Sequence, residues 1–103
     1  MIMGKRQRWC LEELIERQEG TPFEKRVWRA LLSIPAGTVR TYGWVAKKAG
    51  RPLAYRAVGN ALRKNRLAPI VPCHRVVSSQ GIGGFSGGIE KKRRLLEKEG
   101  VYL

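Results

Sequence analysis

The chain predicts a mainly α, winged-helix-like helix-turn-helix domain with short extended segments. Three observations carry this. Helix-start signals stand at Thr21 and Thr41, ahead of stretches with apolar residues at helical spacing. Two short helical stretches flank the Gly-containing turn Ala49-Gly50-Arg51-Pro52. The length, 103 residues, allows one domain with a modest core.

The elements follow in order. Residues 9–19 read as a short amphipathic helix, with Leu11, Leu14 and Ile15 on one face and Gly20 ending it. This makes residues 1–20 a short N-terminal extension and residues 21–103 the domain proper. Thr21-Pro22-Phe23-Glu24 is a helix start in which Thr21 caps, Pro22 suits the first turn and Glu24 completes a capping box. Phe23, Val27, Leu31 and Ile34 recur on its core face, and Pro35-Ala36-Gly37 stops it. Thr38-Val39-Arg40 reads as a short extended piece. Thr41 caps a helix from Tyr42 to Lys48, and a second runs from Ala54 to Asn65 in the position of a recognition helix. Its small residues Ala57, Gly59 and Ala61 suit close approach to a groove floor, or equally to another helix. Leu67 to Val77 reads as a buried extended segment broken by Pro69 and Pro72. Ser78 to Gly88 is a glycine-rich loop with one aromatic, Phe85. Glu90 to Gly100 is a final helix, with Gly100 as its stop.

Charge narrows the partner. Lys and Arg number 21 against 8 Glu and no Asp, a formal net charge of +13. From Lys25 to Ile89 there are twelve basic residues and no acidic one. Such a field favours a polyanion, with nucleic acid first. An anionic membrane is second, but no long apolar segment or basic amphipathic helix supports it. No signal peptide opens the chain, so a reducing cytoplasmic or nucleoid location is expected, or the nucleus in a eukaryote, with Cys10 and Cys73 unpaired. Two Cys and one His, two of them adjacent, supply a zinc site poorly, and no metal is expected.

The chemistry concentrates in Pro72-Cys73-His74-Arg75-Val76, which sets a thiol beside the only histidine. A nucleophilic cysteine acts as thiolate, so its pKa must be lowered, which His74, nearby cations or a helix N-terminus could each do. His74 is the available base, and it needs an orienting acceptor in turn. Glu90, Glu97 and Glu99 in the last helix are the available carboxylates. On an extended strand Cys73 and His74 point to opposite faces, so a bridging water, not direct contact, is expected between them. An inert buried cysteine beside a structural histidine is the alternative that these residues alone leave open.

Thr21 to Leu103 resembles the C-terminal DNA-binding and catalytic domain of the O6-alkylguanine-DNA alkyltransferases. The resemblance spans about four-fifths of the chain. It rests on Pro72-Cys73-His74-Arg75-Val76, the upstream Arg56-Ala57-Val58-Gly59, Asn65 and Gly84-Phe85-Ser86-Gly87-Gly88, in order and at family-like spacing. It implies irreversible, single-turnover transfer of an alkyl group from a flipped O6-alkylguanine in duplex DNA to Cys73. His74 would be the base through a water, and Glu99 would orient it. Tyr42 would donate toward the guanine ring nitrogen. Arg56 would be the finger entering the stack, and Asn65 would brace the turn before the active-site segment. The backbone at Cys73 and Val76 and the amide of Ser86 would read the guanine edge, with Phe85 in the pocket wall. Ala57, Gly59 and Ala61 would face the minor groove, and Arg63 and Arg66 would contact phosphate. The resemblance implies no cofactor and a monomer.

Two departures stand out. Family members usually carry an N-terminal domain, where about twenty residues precede Thr21 here. The loop aromatic is Phe85 where many members have Tyr. An alternative is an alkyltransferase-like lesion sensor, which binds alkylated DNA and recruits other repair factors without transfer. Such proteins are often this short, but usually lack the cysteine. A plain helix-turn-helix regulator is a third reading, which predicts sequence-specific binding without lesion preference, and a dimer.

Overall fold

A computed structural model describes residues 12–67, 70–85 and 88–103. Residues 12–17 form α1. Then come α2 (Pro22–Leu32), β1 (Arg40–Thr41), α3 (Tyr42–Lys48), α4 (Tyr55–Arg63), a 3₁₀ turn (Cys73–Arg75), β2 (Val76–Val77) and α5 (Ile89–Lys98). The two strands pair in parallel, Arg40 with Val76 and Thr41 with Val77. This mainly helical arrangement around a two-stranded sheet agrees with the expected fold class.

Local chemistry accounts for the helix starts. Thr21 Oγ1 accepts from Glu24 N at 3.0 Å, and Glu24 Oε1 accepts from Thr21 N at 3.0 Å, a complete capping box. Thr41 Oγ1 accepts from Trp44 N at 3.1 Å and opens α3 immediately after β1. The start of α4 has no side-chain cap: Ala54 precedes it. The recognition helix is therefore shorter at both ends than the span 54–65 expected from the sequence.

Phe23, Val27, Leu31 and Ile34 all enter the core, together with Val45, Ala46, Val58, Val71, Cys73 and Val76. Trp28, fully buried, ties the frame together: its Nε1–H donates to Ala61 O at 2.8 Å, joining α2 to α4. Of the first helix only Ile15 enters the same core, while Leu14 is 45% exposed. Leu11 and Cys10 lie outside the described residues.

One expectation is overturned in form. The segment before Val76 is not a strand. Asn65 Nδ2–H donates to Val71 O at 2.8 Å and folds the chain back. At Pro72, φ −84° and ψ 73° with Cys73 N donating to Val71 O at 2.9 Å make an inverse γ-turn. Arg75 N then bonds Pro72 O at 3.1 Å and closes the 3₁₀ turn. A proline has no N–H for a ladder, so pairing begins only at Val76.

Candidate active site

Cys73 sits at the base of a cavity of about 190 Å³ lined by Tyr42, Gly59, Leu62, Arg63, Gly84 and Phe85. Each wall comes from a different element. Tyr42 is the first residue of α3, fixed by the Thr41 cap. Its hydroxyl lies against Gly83, where a Cβ would come within 3.1 Å. Gly83 has φ +78° and belongs to the glycine-rich loop, so that loop passes directly over Tyr42. Gly59 opens the α4 wall, since a Cβ there would meet nothing within 4 Å.

The cysteine is buried, 5% exposed. Burial pushes its thiol up from the ordinary value, while the Asn65 amide, its own backbone N–H and the Lys92 ammonium pull it back. Burial thus favours the neutral thiol at Cys73. His74 is equally buried, 2% exposed. Its Nε2 lies 3.0 Å from Glu99 Oε2. The Arg75 guanidinium is the main cause that holds Glu99 down at about 2; burial opposes it and the His74 bond assists it. An ionised Glu99 accepts from Nε2–H, which leaves Nδ1 with its lone pair. Nδ1 is buried and has no protein partner among the described residues.

Glu99 is placed by the end of α5. Gly100 N donates to Glu97 O at 3.0 Å and Val101 N to Leu96 O at 2.9 Å, a Schellman closure with Gly100 at φ +87°. That leaves Glu99 at the helix cap, facing the cysteine turn. Arg75 locks it there: Nη2 donates to Oε2 at 2.7 Å, Nε to Oε1 at 3.0 Å, and Nη1 to Ile34 O at 2.7 Å.

Arg75 and Lys92 are contributions that residue-by-residue reasoning missed. Lys92 is 1% exposed, and its Nζ donates to Val76 O at 2.6 Å and Gly84 O at 3.0 Å. Burial pulls its ammonium down to about 8, and the Cys73 thiolate charge acts against that. The signal was present. Lys92 stands four residues before the buried Leu96, on the core side of α5, but it is masked inside Lys91-Lys92-Arg93-Arg94.

The other expected site residues divide. Asn65 does brace the turn, and its Oδ1 also accepts from Leu67 N at 3.0 Å. Arg56 is exposed near the start of α4, Arg63 is at the cavity mouth and in contact with Asn60, and Arg66 is exposed beyond the helix. The small residues part company. Gly59 faces the cavity. Ala57 lines a groove on the other side of α4, with Phe23, Arg26 and Arg51. Ala61 is fully buried against α2, so it is not a groove-facing residue: its carbonyl is taken by Trp28. Val76 is fully buried in β2, outside the cavity lining, with its carbonyl bound to Lys92. Phe85 lines the wall as expected, and Ser86 lies outside the described residues. Among the described residues, no three His, Cys, Asp or Glu side chains gather in a metal-holding group. No helix among them is long and apolar enough to cross a membrane.

Residues 22–101 match the family model described as 6-O-methylguanine DNA methyltransferase, DNA binding domain. The chain belongs to this family. A methylated-DNA--protein-cysteine methyltransferase of Mycobacterium tuberculosis is 54% identical over 81 residues, covering 78% of this chain and 49% of that protein. One from Methanosarcina acetivorans is 52% identical over 83 residues, covering 80% and 53%. The chain thus spans about half the length of these curated relatives. Among solved structures, Mycobacterium tuberculosis OGT in complex with DNA superposes with a TM-score of 0.74 at 53% identity, covering 79% of this chain and 51% of that one. S. pombe Atl1, in complex with damaged DNA containing O6-carboxymethylguanine, gives 0.71 at 35% identity, covering 82% and 81%. For a methyltransferase-family domain the arrangement is chemically coherent: a buried thiol, a histidine with one free nitrogen, and a carboxylate held ionised behind it.

Proposed function

We propose that this chain is a single-turnover repair protein that moves an alkyl group from O6-alkylguanine in duplex DNA onto Cys73. The observation that carries this reading is the His74–Glu99 pair behind Cys73, with His74 Nδ1 left as a buried acceptor. The target base leaves the stack and enters the cavity between α3, α4 and the 83–85 loop. Arg56 fills the space it vacates. The Cys73 proton passes through a water to His74 Nδ1, and the ionised Glu99 stabilises the resulting imidazolium. Sulfur attacks the alkyl carbon, and a C–S bond forms as the C–O6 bond breaks. The electron pair of that bond goes to the purine, the ring takes a proton from the Tyr42 hydroxyl, and the proton held by His74 returns to Tyr42 through solvent. The products are unmodified guanine and S-alkyl-Cys73. Nothing regenerates the thiol, so each chain acts once. The chemistry requires no cofactor. Its substrate implies a compartment that holds DNA.

Intact-protein mass after incubation with a duplex carrying one O6-methylguanine tests this. The expected result is a stoichiometric gain of one methylene mass, mapped to Cys73 and absent in Cys73→Ser. No gain, with the alkylated duplex still bound more tightly than plain duplex, would replace transfer by lesion recognition alone. No gain and no preference would overturn both.

A further inference from the structure

The turn that leads into α4 has an unusual occupant. In Arg51-Pro52-Leu53-Ala54, Ala54 N donates to Arg51 O at 3.1 Å, and Leu53 has φ +77°. This is a type II turn, with proline at its preferred second position. The third position calls for glycine or asparagine. Leu53 is the only non-glycine residue with positive φ among the described residues. It gains nothing from burial in exchange: it is 76% exposed, the most exposed large apolar side chain described. A strained backbone that holds an apolar side chain out in water points to function.

Its neighbours indicate what it meets. Tyr55, the first residue of α4, is 51% exposed. Its ring is held against Gly43, where a Cβ would come within 3.1 Å of Tyr55 Cε1. The ring therefore forms a fixed wall rather than a mobile arm. The exposed Arg56 directly follows Tyr55, the Arg51 guanidinium packs over the Phe23 ring at 5.2 Å, and no acidic residue lies between Lys25 and Ile89. An apolar tip set among cations suits a nucleic-acid duplex: phosphates meet the cations, and the tip meets stacked bases. An apolar wedge pushed into the minor groove unstacks a base step and bends the duplex.

We propose that Leu53 is a second wedge that enters the minor groove beside Arg56 and holds the duplex bent while the base is out. The proposal rests on the DNA-repair reading above, but requires only duplex binding.

The test uses the full chain with a duplex carrying one O6-methylguanine and fluorophores at its ends, comparing wild type with Leu53→Gly and Leu53→Asn. Both replacements accept positive φ, so Leu53→Gly melts at or above the wild-type temperature. The expected result is bending by wild type that is lost in both variants. The transfer rate at saturating DNA falls about tenfold, while the salt dependence of plain-duplex binding is unchanged. Equal bending and transfer in wild type and variants would overturn the wedge, as would a wild type that leaves the duplex straight. Bending is read whether or not Cys73 is alkylated. A bend that depends on Leu53 without transfer therefore supports the wedge and counts only against the transfer reading.

Discussion

In α2 and α3 the helix starts are closed by residues three positions apart, Thr21 with Glu24 and Thr41 with Trp44. The Cys73–Arg75 turn is closed by its own backbone bonds but is held in place by side chains from elsewhere in the chain. Asn65 reaches Val71, Glu99 reaches His74 and Arg75, and Arg75 reaches Ile34. Lys92 ties the strand that follows to the loop over the cavity. The helix starts of the frame are thus specified locally. The cysteine turn is held by tertiary contacts, and some of the residues that hold it also bear on its protonation. Removing one of those partners affects stability and chemistry together.

Glu99→Gln breaks that coupling most severely. The amide keeps the size but loses the charge that His74 and Arg75 both face. The transfer rate should fall about a hundredfold, the usual loss when a base is disoriented. The acid limb of stability should change as well. In the folded chain Glu99 titrates at about 2, below its unconstrained value of 4.5. Its stabilising contribution is complete above about 4.5 and is lost as pH falls through about 2. Urea midpoints across that range should fall less steeply in Glu99→Gln than in wild type. Parallel acid limbs would show that the carboxylate carries no folding energy and would separate the turn's chemistry from its stability.

Lys92→Met sharpens the same contrast from the other side. It removes a buried cation that favours the Cys73 thiolate. The pH profile for alkylation of Cys73 by iodoacetamide, read by mass at that residue, should move upward, with about a tenfold loss at neutral pH. The stability profile should also change at its alkaline end. Lys92 releases its proton near 8 when folded and near 10.5 when unfolded. The unfolded chain therefore holds more protons across that window, and wild type gains stability from Lys92 as pH rises. Cys73, pushed above its ordinary value of 9.0, works against this gain. In Lys92→Met that gain is removed, so stability should rise less with pH across the window than in wild type. An unmoved alkylation profile would reduce Lys92 to a strut between the Val76 and Gly84 carbonyls.

The same contrast explains what was legible in the sequence. Caps and stops depend on residues a few positions apart and on the special backbone of glycine. The capping box at Thr21, the start of α3 at Thr41 and the stop at Gly100 could all be read directly. Cys73, His74 and Glu99 were legible through motif resemblance, and the structure brings His74 and Glu99 together. The 3₁₀ turn was not legible, because its shape comes from the Asn65 amide and the proline γ-turn rather than from strand propensity. The phase of α4 was not legible either. Ala57, Gly59 and Ala61 look alike in sequence, and only the Trp28 bond to Ala61 shows which of them faces inward. Lys92 was hidden because a lysine in a basic run looks solvated until its place opposite two buried carbonyls is known.

The smallest expected effect tests whether the local frame is truly modular. Thr21→Ala and Thr41→Ala each remove one helix cap, and each should cost about 1 kcal/mol of stability. Thr21 is outside the cavity lining, and in Thr21→Ala Glu24 still accepts from the backbone N–H of residue 21 and stays paired with Lys64 at 3.0 Å. Its transfer rate should stay at the wild-type value. Thr41 directly precedes Tyr42, and its cap fixes the turn from which the phenol approaches the Gly83 loop. If the frame and the reactive turn are separate, Thr41→Ala should match Thr21→Ala in melting temperature and in rate. A shared drop in melting temperature with a few-fold slower transfer in Thr41→Ala alone would locate the joint between the two regions at β1. There the strand that pairs with Val77 becomes the helix that carries Tyr42.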